Sequence, residues 1–242
     1  MISIFGLIGR SVTYLLTKKS LYYCIFWYVL ANSLLACSFF TVIPITGTIL
    51  NYFIVIIMSV WIATLVLNDY KQKFITPYHA LIDSCGYLYK ARWFVAGFLF
   101  LELLLDFLLS DLSCYFREDH NATTILVVFI FCIVIALGFA SFTCVPLIAD
   151  NITAPEILLS EAVYTIKKYF LYICLLLIAT VAAWGILFTA LYVVYFMVML
   201  LAERFFGYIL CAFIQHAFSG FFFVVTNILL VIVETLFYIQ RD

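Results

Sequence analysis

Of 242 residues, 68% are hydrophobic and 10% are charged, with a net charge of −1 at neutral pH. A soluble domain carries roughly 45–50% apolar and 25% charged residues, so too few charges are present to cover this chain in water, and a soluble fold is excluded. The near-neutral balance, with no basic stripe interleaved with stacking residues, argues against a nucleic-acid partner; the partner called for is the lipid bilayer.

Residues 1–20 read as an interfacial amphipathic helix with Ile8, Val12, Leu15 and Leu16 on one face. The patch from Met1 to Ile8 is too short for a cleaved signal, and Arg10, Lys18 and Lys19 come after it. A first span is predicted over Leu21–Val42, ended by Pro44 and Gly47, and a second over Ile49–Leu67. After the polar stretch Asn68–Lys73, Pro77 opens a second amphipathic segment, PYHALIDSCGYLYKAR. A third span covers Trp93–Leu109, a polar loop Ser110–Ala122, and a fourth span Ile125–Pro146.

The stretch Cys144–Phe170 joins the end of one apolar run to the start of another. Pro155 suits the first turn of a helix and Thr153 can cap from just before it. Leu158, Leu159, Ala162, Val163, Ile166 and Phe170 recur at helical spacing, predicting a third interfacial helix that ends at Lys167 and Lys168. A short soluble connector with accidental periodicity would read the same way. From Tyr169 to Ala202 run 34 uncharged residues, more than the roughly 20 needed to cross. They form either one long tilted span with a bend at Gly185, or two short helices. Glu203 and Arg204 mark a turn, and Phe205–Ile239 returns.

The expected fold is therefore all-α: a polytopic helix bundle of six transmembrane helices with three cytoplasmic interfacial helices, in one integral membrane domain. Arg10, Lys18, Lys19, Lys71, Lys73, Lys90, Arg92, Lys167, Lys168 and Arg241 would face one side, and only Arg117 and Arg204 the other. That asymmetry places both termini in the cytoplasm. Tyr14, Tyr87 and Tyr164 stand 73 and 77 residues apart, each succeeded by a basic pair that anchors at the headgroups: Lys18 with Lys19, Lys90 with Arg92, Lys167 with Lys168. The spacing suggests repeats over residues 1–73, 74–150 and 151–242. Chance alignment of helical hairpins would give a similar pattern.

PLIADNITAPEILLSEAVYTIKKYF resembles the linker of the YciC family and of the related membrane domain attached to some glycerophosphodiester phosphodiesterases. Pro146, Leu147 and Ile148 match the end of the family's span. Leu158 and Ser160 match the helix loosely, and Lys168, Tyr169 and Phe170 match the basic-aromatic lead into the next span. Glu161 after Ser160, and Asp150 with Asn151 where Gly is common, depart from it. The resemblance implies a multipass bacterial inner-membrane protein tied to envelope upkeep or transport, with no established active site.

Glu102 and Asp106, four apart in the third span, project from one face. Ionisable groups at membrane depth cost about 2.5–3.5 kcal/mol each on insertion scales, so the pair reads as a cation or proton site. The alternative is that Asp106 is solvated near the outer interface while Glu102 bonds a neighbouring span. Asn227 and Glu234, seven apart in the last span, share another face; packing hydrogen bonds would account for the asparagine, and Glu234 could reach Arg241. His216 has no second His or carboxylate four residues on to support a metal. The eight cysteines form no C-x-x-C, and no nucleophile motif is present. No enzyme activity and no cofactor are expected; membrane-protein partners, a second copy of the chain or an unidentified small solute remain open.

Overall fold

The computed structural model describes residues 3–36, 44–115 and 120–241. Among them the secondary structure is helical throughout: α1 (Ile4–Thr17), α2 (Lys19–Ala36), α3 (Pro44–Tyr70), α4 (Pro77–Lys90), α5 (Arg92–Tyr115), α6 (His120–Ala149) and α7 (Pro155–Gln240). Among the described residues four stretches are long and apolar enough to cross a membrane: Ile49–Tyr70, Val127–Ala149, Pro155–Thr180 and Gly220–Gln240. The protein is thus an all-α chain with the makings of an integral membrane protein. α2 and α5 are shorter or more charged, α5 carrying Glu102, Asp106 and Asp111.

Several boundaries move relative to the sequence expectation. α3 begins at Pro44 rather than ending a span there, because proline is tolerated where the helical N–H is unused. α5 runs to Tyr115 and α6 starts at His120, so most of the expected polar loop is helical; Arg117 lies outside the described residues. Ala154, not Thr153, takes the cap position of α7, its carbonyl accepting from the Leu158 N–H at 2.9 Å.

The chain divides into two compact units, Met1–Val42 with Tyr169–Asp242, and Ile43–Lys168. These do not coincide with the three sequence repeats. Within the second unit α3 packs on α4, α5 and α6. The Trp61 side chain is buried and its Nε1–H donates to the Pro77 carbonyl at 2.7 Å, fixing the start of α4 against α3. The Ser84 and Thr64 hydroxyls, both fully buried, lie 3.1 Å apart where the two helices meet.

The return helices α3 and α6 end alike. Gln72 and Asn151 adopt positive φ, 55° and 64°. In α3 the Lys73 N–H reaches back to the Asn68 carbonyl (2.8 Å) and the Gln72 N–H to Asp69 (3.1 Å). In α6 the Ile152 N–H reaches Leu147 and the Asn151 N–H reaches Ile148, both at 2.9 Å. Both are Schellman caps, which satisfy otherwise orphaned carbonyls through one left-handed residue. The two turns are tied together by a Lys71–Asp150 ion pair, and Lys90 donates to the Asn151 side chain at 3.3 Å.

α7 keeps helical backbone over 86 residues. On a straight axis Tyr169 and Arg241, both in the first unit, would stand about 110 Å apart. Instead the Tyr169 hydroxyl donates to the Arg241 carbonyl at 2.5 Å. Tyr172 stacks on Phe237 at 5.5 Å, and Tyr195 on Phe218 at 4.6 Å. These pairs are all centred between residues 204 and 207, so the axis doubles back beside Glu203 and Arg204, where the sequence predicts a turn.

The three segments read as amphipathic from the sequence differ in how each joins the helix after it. α1 ends at Lys18 in extended conformation, and α4 ends at Ala91. Those two breaks are 73 residues apart, the spacing of Tyr14 and Tyr87. The third segment has no such break in its helical backbone. In the first segment the buried face overlaps the apolar one read from the sequence only at Leu15. Leu7, Ser11 and Leu15 are buried in α1, and Ala80, Ser84 and Leu88 in α4, whereas Val12, Leu16 and Cys85 are exposed. Only Leu158 and Ala162 of the third segment are buried as the periodicity predicts. Ser11, Ala80 and Ser84 are small enough to let neighbouring helices approach closely there.

Candidate intramembrane polar sites

α3 packs on α5, and this contact positions the acidic pair. Glu102 and Asp106 lie about 15 and 21 Å along α5 from Arg92. Both are half-buried. The Tyr52 hydroxyl of α3 donates to the Asp106 carboxylate at 2.9 Å. Contrary to the alternative reading of the sequence, Asp106 is the residue bonded to a neighbouring helix, and Glu102 makes no hydrogen bond among the described residues. Tyr52 was not singled out by sequence reasoning, since a tyrosine in an apolar run carries no spacing signal. A phenol and two carboxylates on facing helices can hold and pass a proton, or offer oxygens to a cation.

Asn227 and Glu234 fall in the other unit and make no site with the acidic pair within one unit. The Asn227 side-chain amide donates to the Tyr28 hydroxyl at 3.2 Å, a helix-packing bond. Glu234 is 1% exposed and sits beside buried Thr235, about 9 Å along α7 from its end at Gln240. The carboxylate is therefore shielded from solvent although the helix end is close.

The basic anchors are placed more regularly than the acidic groups. Lys18 lies over the Tyr14 ring at 5.5 Å, Lys90 over Tyr87 at 5.9 Å and Lys168 over Tyr164 at 5.3 Å. The Lys168 ammonium also donates to the Tyr164 hydroxyl at 3.0 Å. Arg92 covers the Tyr89 ring at 5.6 Å, while Lys19 and Lys167 are exposed. Each pair spans one helical turn, so the tyrosine ring holds the cation at the end of its segment. Burial, with Asp83 and Asp150 nearby, pushes the Tyr87 hydroxyl above its ordinary range, against the pull of Lys71.

A second recurrence was not legible in the sequence. Thr64, Thr143 and Thr235 are each buried near the end of a return helix and donate to the carbonyl four residues back, at 2.8, 2.7 and 2.7 Å. Threonine is common in apolar helices, so only its matched burial marks these positions. Among the described residues no group of three or more His, Cys, Asp or Glu could hold a metal; the His216 side chain lies outside them. No family model, curated protein or solved structure matches the chain.

Proposed function

We propose that the chain is a non-enzymatic multipass protein of a bacterial inner membrane that supports envelope upkeep or membrane transport. In this reading it crosses six times, with both termini and three interfacial segments in the cytoplasm. The observation that carries it is the tyrosine–cation pair at the end of three amphipathic segments, in Tyr14–Lys18, Tyr87–Lys90 and Tyr164–Lys168. Lysines held at an interface attract anionic headgroups by about 1 kcal/mol each, which suits a protein that works along the cytoplasmic leaflet. The resemblance to the YciC linker supplies the envelope and transport context. Disrupting the gene should alter an envelope readout, such as detergent sensitivity or entry of a lipophilic dye, and the intact chain should restore it. Unchanged envelope behaviour under both conditions would contradict the proposal.

A second reading has its own observation, the Tyr52–Asp106 bond beside Glu102. There the chain is a transporter or channel for protons, cations or a small solute. Proteoliposomes should then show a proton- or cation-dependent flux that Glu102→Gln abolishes while the protein accumulates normally. Flux unaffected by Glu102→Gln and by Tyr52→Phe would retire the site.

A further inference from the structure

An elongated apolar cavity of about 570 Å³ lies within the second unit, between the start of α5, the second half of α6 and the amphipathic start of α7. Trp93, Phe139, Ala140, Leu159 and Val163 are among the side chains that line it. Along α6 the lining extends from Cys144 to Ala136, from about 8 to about 20 Å inward of the helix end. Trp93, Leu159 and Val163 remain 70%, 68% and 54% exposed, so something apolar must cover them. In a bilayer that cover is an acyl chain lying along α6.

The mouth of the cavity identifies which lipid. Ala91 and Trp93 line it on one side, Thr153 and Pro155 on the other. The Lys90–Asn151 hydrogen bond brings these two segments together at the polar end. Arg92 stands between Ala91 and Trp93, and Glu156 comes directly after Pro155. Lys71 is paired with Asp150 and Lys168 is bonded to Tyr164. Arg92 contacts the Tyr89 ring, and among the described residues neither it nor Glu156 has an ion-pair partner. Lys90 is engaged by the neutral Asn151 amide, so Arg92 and Glu156, each next in sequence to a lining residue, are the charges at this end of the track with neither a hydrogen bond nor an ion pair among the described residues.

We propose that this cavity binds one phospholipid with an amine-bearing zwitterionic headgroup. One acyl chain fills the track, the phosphate sits on Arg92 and the headgroup ammonium on Glu156. This goes beyond the role proposed above and does not depend on the tyrosine–cation pairs. Arginine suits the phosphate because its planar fork donates two parallel hydrogen bonds.

The test is native mass spectrometry of the full chain in mild detergent, titrated with phosphatidylethanolamine, phosphatidylglycerol and diacylglycerol of identical chains. Phosphatidylethanolamine should bind at least about fivefold more tightly than diacylglycerol, the equivalent of about 1 kcal/mol for one charged contact. Arg92→Gln should remove that advantage, and Glu156→Gln should erase the preference for phosphatidylethanolamine over phosphatidylglycerol. Ala140→Phe and Ala136→Phe, which fill the track, should lower binding of all three lipids. Equal binding of phosphatidylethanolamine and diacylglycerol to the unaltered chain would overturn the proposal. So would undiminished lipid binding by either track-filling variant in monodisperse form. Should neither fold, the two exposed charge variants still decide the matter.

Discussion

Gln72 takes a left-handed backbone conformation at the end of α3, a state that costs a residue with a Cβ about 1–2 kcal/mol. Gln72→Gly should therefore raise the unfolding midpoint in detergent, and Gln72→Val, which branches at Cβ, should lower it. Equal responses to the two would mean that the cap does not govern the end of α3. Tyr87 gives a pH signature. Its folded value is raised above the unfolded one near 10. Its contribution is thus fully present below about pH 10 and is lost as pH climbs through the folded value. Tyr87→Phe should flatten part of the alkaline fall in the unfolding midpoint; an identical alkaline profile would show that neither burial nor the neighbouring Asp83 and Asp150 raise its hydroxyl. Pro77 and Pro155 were legible as helix starts, because proline chemistry is local. The left-handed residues were not, since neither glutamine nor asparagine announces the conformation that tertiary packing imposes.

At the scale of one helix, the faces of α1 and α4 show what periodicity conveys in a membrane chain. Apolar spacing picks out Ile8, Val12, Leu15 and Leu16 in α1, yet of these only Leu15 shares the packed face with Leu7 and Ser11; in α4 the packed face is Ala80, Ser84 and Leu88. In water the larger apolar face is the buried one, but lipid welcomes it equally, and close packing favours small residues. Ser84→Leu should cost about 1–3 kcal/mol by overfilling the contact with Thr64. Cys85→Leu, one position on and exposed, should be nearly neutral. Equal costs, read as unfolding midpoints in the same detergent, would reject the assignment of the packed face. The tyrosine–cation pairs were legible because a ring and a lysine one turn apart meet on any helix. Tyr52 was not, because its partner Asp106 lies on another helix.

Across the whole molecule, composition alone separates this chain from soluble proteins, and the charge asymmetry suggests its orientation. The reversal within α7 was readable from Glu203 and Arg204, two charges interrupting a long apolar run, and the stacked pair Tyr195 and Phe218 lies across it. The division into two compact units was not readable, because it cuts inside the suggested repeats 1–73 and 151–242 rather than between repeats. The central claim, six crossings with the interfacial segments on the cytoplasmic side, is tested most directly by fusing a compartment-sensitive reporter after residues 74, 117, 153, 204 and 242. Cytoplasmic signals at 74, 153 and 242 and external signals at 117 and 204 are predicted from the distribution of lysine and arginine. A cytoplasmic signal at 117 would contradict the arrangement as a whole.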